Sequence, residues 1–111
     1  MSKHDPDVAL KQILEHAREA VQITRDKTRA DLDNDRLLNL ALTRLIEIIG
    51  EAAGRVPEEI QAQHSELPWL QMRAARNRLI HGYDSVDFDI LWAIVHKDLP
   101  ELIPQLERIL R

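Results

Sequence analysis

The sequence predicts an all-α fold: an antiparallel bundle of four to five helices, with residues 1–111 forming one domain. Three observations predict it. Apolar residues recur at helical spacing along nearly the whole chain, with no period-two alternation and no repeat or low-complexity segment. Glycine occurs only three times. Aspartates and prolines stand where helices would begin. A chain of this length can bury about two thirds of its unfolded surface, enough for a core without disulfides or a structural metal.

The elements follow in order. Asp5-Pro6 is an N-cap followed by a first-turn proline, and Leu10, Ile13, Leu14, Ala17, Val21 and Thr24 then mark one face of a first helix running to about Lys27. A second helix is expected to start after Asp33 or Asn34 and to end at Gly54 as its C′ glycine. From Leu37 to Ala53 its apolar residues cover more than one stripe, which fits a central helix or a dimer seam. Pro57-Glu58-Glu59-Ile60 opens a short helical segment, and Pro68 opens another that reaches about His81 before Gly82 stops it. Asp87 caps a last helical region, which Pro100 and Pro104 should kink or split because each lacks a backbone donor.

Composition narrows the function. The absence of cysteine excludes thiolate metal sites, cysteine nucleophiles and a disulfide scaffold, and is compatible with a cytoplasmic location. The N-terminus has no apolar stretch for a signal peptide, and the densest apolar run, Ile90 to Val95, is too short to cross a bilayer. A net charge of −4 repels a polyanion overall, so a nucleic-acid site must be local. One local candidate is the stretch from Leu67 to Tyr83, which has no acid but carries Arg73, Arg76, Arg78 and His81. A solvated helix face would look the same. Metal and phosphate-loop signatures such as Glu-x-x-His, His-Glu-x-x-His and the glycine-rich nucleotide loops do not occur, so no metal or cofactor is expected. Glu15/Glu19 and Glu47/Glu51 sit one turn apart, as surface pairs commonly do; Glu51, near the end of an apolar helix, is the one with a possible supporting role at a site.

The remaining chemistry lies in Arg76-Asn77-Arg78-Leu79-Ile80-His81-Gly82-Tyr83. Metal-free RNA cleavage needs a base for the ribose 2′-hydroxyl and a cation for the charge that builds on phosphate. Histidine titrates near neutrality, and the guanidinium fork fits two phosphate oxygens. Residues five apart on a straight helix are rotated by about 140°, so Arg76 and His81 would not share a face. Either the helix distorts before Gly82, or two copies of the chain bring their motifs together across a two-fold axis. Structural roles stand beside these. His81 could complement a helix C-terminus, Arg76 could pair with Glu47, Glu51 or Asp87, Tyr83 could close the turn, and Arg78 could be plain surface.

Arg76-x-x-x-x-His81-x-Tyr83 resembles the R-x4-H-x-Y motif of HepT-like toxins, all-helical ribonucleases of the HEPN superfamily. So do LTRLIEIIGEAAGRVP at 42–57, LPW at 67–69, RNRLIHGYDSVD at 76–87 and ILWAIVHKDLPEL at 90–102, in that order. The resemblance implies a HEPN-like homodimer acting as a metal-independent RNA endonuclease toxin of a type VII toxin–antitoxin system. It implies Arg76 and His81 as catalytic residues at the dimer cleft, with Asn77 beside them and Arg73 and Arg78 as supporting RNA contacts. It further implies that a cognate MntA-like nucleotidyltransferase antitoxin neutralises the toxin by transferring AMP from ATP to Tyr83. The alternative is a non-catalytic helical module that binds a nucleotidyltransferase and a nucleotide.

Overall fold

The computed structural model describes residues 5–81 and 85–111, with the side chains of Pro6, Arg76, Ile80 and His81 outside that description. Among the described residues the elements run α1 (Pro6–Ile23), α2 (Arg29–Asn34), α3 (Arg36–Arg55), α4 (Glu58–Gln63), α5 (Trp69–Leu79), β1 (Ile80–His81), β2 (Ser85–Val86), α6 (Phe88–Ala93), a π-helical segment (Ile94–Asp98) and α7 (Leu99–Ile109). The fold is all-α, as expected, and the two short strands form a single antiparallel ladder.

The Asp5 cap forms as anticipated: its carboxylate accepts the Asp7 amide at 2.9 Å. The first helix ends at Ile23, short of Lys27. Thr24 is buried there and its hydroxyl donates to the carbonyls of Ala20 and Val21, a side-chain bond that competes with further helix. The chain turns and starts α2, which the sequence reading missed. Its first turn is tied by the Asp31 carboxylate, which accepts the Thr28 amide at 2.7 Å, and its one core residue is the fully buried Leu32. The Asn39 side-chain amide donates to the Leu32 carbonyl at 2.9 Å, fixing α2 on α3.

Helix α3 begins one to two residues later than expected because Asp35 is its cap, accepting the Leu38 amide at 3.1 Å. Asp35→Ala should cost about 1 kcal/mol, the usual price of a lost N-cap, read as a shift in the denaturant midpoint at unchanged slope. The helix also passes through Gly54 instead of ending there. It stops at Arg55, where Val56 is extended because the ring of Pro57 disfavours helical backbone in the residue before it.

The core sits where α3 packs between α1 on one side and α5 on another. Ile13, Ala17 and Ala20 of α1 meet a face of α3 that buries Leu42, Ile46, Ile49 and Ala53. The alanines let the two helices lie close. Arg55 reaching Gln12 at 3.4 Å sets α1 and α3 antiparallel, and Arg18 joins Glu107 at 2.6 Å to hold α1 against α7. Arg29 on α2 binds Asp89 on α6 at 2.7 Å and Asp33 at 3.1 Å, and its guanidinium lies over the Phe88 ring; the Asp89 bond above all raises its pKa.

The last region divides as Pro100 required. The wider π turn falls immediately before it, with the Leu99 amide donating to the Ile94 carbonyl five residues back, which is how the helix accommodates a ring that would strike the carbonyl four residues earlier. Pro104 is carried inside α7. At the start of this region the Asp87 carboxylate accepts the amides of Asp89 and Ile90, the cap read from the sequence. No helix among the described residues is long and apolar enough to cross a membrane.

Candidate functional site

The candidate site is built on α5 and the short ladder that follows it. Pro68 starts the helix, with its carbonyl accepting the Met72 amide, and the buried Trp69 anchors the first turn by donating its indole N–H to the His64 carbonyl at 2.9 Å. Helix α5 crosses α3 at Gly50. A Cβ there would stand 2.9 Å from the Met72 carbonyl oxygen, so the missing side chain is what lets the two backbones approach. This contact explains the glycine in the middle of α3, and the sequence reading gave it no role.

The expected helix to His81 is shorter. It ends at Leu79, and Ile80 and His81 are extended, with Ile80 paired to Val86 and His81 to Ser85. The physical reason is a competing set of backbone bonds: the Asp87 amide donates to the Leu79 carbonyl at 2.7 Å and the ladder continues from it. The backbone of His81 thus lies in the ladder, two residues beyond the last turn of α5. The rotation of about 140° that a straight helix would impose on Arg76 and His81 does not apply, because the helix stops between them. The side chains of both residues, and Tyr83 altogether, lie outside the described residues.

Of the cations in the acid-free stretch, Arg73 and Arg78 have described side chains, and these two do not share a face of α5. Arg73 and Asn77, four residues apart, share an exposed face of α5 with Leu70, which is 68% exposed. Arg78 lies on another side of the helix, where it stands 3.9 Å from Asp98 of the π segment. Glu51 follows Gly50 on α3 and is exposed, with its carboxylate 3.4 Å from Arg44 of the same helix; Arg44 also lies 3.9 Å from Glu47. Glu15 and Glu19 are exposed as expected of a surface pair. No group of three His, Asp or Glu side chains among the described residues could hold a metal ion.

Helix α3 also carries an outward stripe that the core does not use. Leu37 is 81% exposed and Leu40 46%, while the buried residues of the same helix face its neighbours α1, α2 and α5. The over-wide apolar face read from the sequence is thus a central packing face plus a separate exposed one.

These features define a small all-α protein whose candidate site lies where α5 breaks into the ladder. The chain belongs to the HepT-like ribonuclease family of the HEPN superfamily: the family model described as "Ribonuclease HepT-like" matches residues 13–109, all but the first twelve and the last two residues. Among curated proteins it is 35% identical over 107 residues to a candidate RNase of Methanocaldococcus jannaschii, covering 96% of this chain and 98% of the relative. It is 36% identical over 103 residues to a probable ribonuclease HepT of Thermococcus cleftensis, covering 89% and 94%. A candidate RNase of Caldanaerobacter subterraneus is 34% identical over 106 residues, covering 96% and 95%. No solved structure matches the chain.

Proposed function

We propose that this chain is an RNA endonuclease, the toxin of a HepT/MntA-like toxin–antitoxin system, working without a metal through Arg76 and His81. The observation that carries the reading is a family match that spans the Arg76–His81 segment, together with a helix that breaks between the two residues. In the proposed reaction the imidazole of His81 takes the proton of a ribose 2′-hydroxyl, whose oxygen attacks the adjacent phosphorus. The bond to the 5′-oxygen breaks, and that oxygen takes a proton from water or from the second histidine of a dimer. The products are a 2′,3′-cyclic phosphate and a 5′-hydroxyl. Arg76 holds the phosphate oxygens as negative charge gathers on them, with Asn77 and Arg73 as supporting contacts on α5. Because Arg78 stands beside Asp98, its share in RNA binding is the smallest of the α5 cations.

Neutralisation follows by the same logic. An MntA-like nucleotidyltransferase would transfer AMP from ATP to Tyr83: the phenol oxygen bonds to the α-phosphorus, pyrophosphate leaves and the phenol proton is lost. The bulk and negative charge then stand beside the cleft and repel the RNA backbone. The site functions as a homodimer in this reading, and the exposed Leu37, Leu40 and Leu70 supply apolar surface for a second copy. Changing Leu37 and Leu40 together to aspartate is expected to convert a dimer to a monomer in sedimentation equilibrium and to reduce cleavage with it.

The direct test is incubation of total RNA with unmodified protein in EDTA, with end-group analysis of fragments. Cyclic phosphate ends support the reading. Intact RNA, from protein whose mass shows Tyr83 unmodified, overturns it and favours the non-catalytic module, for which the parallel readout is nucleotide binding lost in Arg76→Ala.

A further inference from the structure

A groove of about 330 Å³ runs between α5 and the π segment and α7, on the side of α5 turned away from Arg73 and Asn77. Its floor is apolar, formed by Ile46 and Ile49 of α3, Met72 and Ala75 of α5, and Leu99 and Leu102 of α7. Its rim carries three carboxylates, Glu66, Asp98 and Glu101, against one guanidinium, Arg78, which already lies 3.9 Å from Asp98. Glu66 and Glu101 are exposed, and the amides of Gln71 and Gln105 also line the groove.

We propose that this groove is a docking site for an amphipathic segment of a partner protein, one that inserts large apolar side chains and flanks them with lysine or arginine. The rim argues the charge: three carboxylates against one partnered cation repel a nucleic-acid backbone and attract a basic segment. The floor argues the anchor, since a concave apolar surface of this volume accepts one or two large side chains and releases their water. Gln71 and Gln105 can meet the polar backbone of a docked segment, as grooves that take a peptide require. The occupant is a protein segment and not RNA, and it leaves the exposed face of α5 with Arg73 and Asn77 free, because Arg73 is rotated by about 160° from Gln71 and Asn77 by about 160° from Ala75. The groove and the proposed RNA face are therefore separate surfaces of one helix, and the docking proposal stands or falls without reference to RNA cleavage.

The test is an amide chemical-shift titration of the full chain with two short synthetic helices, one of leucine and lysine and one of leucine and glutamate. The leucine–lysine helix is expected to shift Met72 to Arg78 and Leu99 to Gln105, and to bind about tenfold or more tighter than its glutamate counterpart. Glu66→Lys combined with Glu101→Lys, both on exposed positions that leave the core intact, should weaken that binding by a similar factor while the melting temperature holds. Equal binding of the two helices, shifts centred on Leu37 and Leu40, or no binding would each overturn the proposal. So would an oligouridine that shifts the groove residues in place of the basic helix.

Discussion

Replacing His81 with alanine is expected to lower RNA cleavage by about 10²–10⁴-fold, the usual contribution of a positioned acid or base, with little change in stability. The stability half of this expectation rests on what the backbone does. His81 pairs with Ser85, and beyond the neighbouring Ile80–Val86 pair the Leu79 carbonyl accepts the Asp87 amide; these are main-chain interactions that alanine keeps. A change at this position thus separates chemistry from folding more cleanly than one inside α5 would. The complementary variant is Arg76→Lys, which keeps a positive charge but loses the planar fork of donors, and most of the activity should go with the fork. Cleavage rates are read on total RNA and folding by the unfolding midpoint of each variant. If His81→Ala cleaves as fast as the unchanged protein, the proposed acid–base role is wrong, and a fall in activity matched by a fall in midpoint would make His81 a structural residue.

The helical class and the caps were legible because they depend on a few residues close in sequence. Asp5, Asp87, Pro57 and Pro68 each act on the next three or four residues, and each begins a helix where it was expected to. Element ends were harder, because they depend on partners far along the chain. Gly54 looks like a stop, yet the stop is set by Pro57 acting on Val56. Gly82 was expected to end α5, yet Leu79 is the last helical residue because Asp87 takes its carbonyl. Helix α2 and the ladder were missed for a different reason: at six residues and two residues they are too short to show a period, and only the Thr28/Asp31 spacing signalled the first. At the site, spacing and resemblance picked out Arg76 and His81, but a linear reading grouped Arg73 with Arg78, which the turn of the helix separates. The groove was invisible for the same geometrical reason, since its floor is drawn from three helices far apart in sequence.

Gly50→Ala should destabilise the protein by about 1–3 kcal/mol, the range for forcing an extra carbon into a packed core. The added Cβ would stand 2.9 Å from the Met72 carbonyl oxygen, and the obstruction is backbone, which cannot rotate away as the end of a side chain could. Relief requires α5 to move off α3, so the variant should also weaken RNA cleavage in the folded fraction, because α5 carries Arg76. Gly54→Ala supplies the control. That glycine lies in the same helix, is exposed, and has nothing within 4 Å of where its Cβ would be. Alanine there should stabilise by about 0.5–1 kcal/mol through the lower entropy of the unfolded chain and the better helix propensity. For a domain of this size the two variants should move the melting temperature in opposite directions by several degrees. If Gly50→Ala melts with Gly54→Ala, the α3–α5 crossing is looser than the structure shows, and the placement of the candidate site that depends on it fails with it.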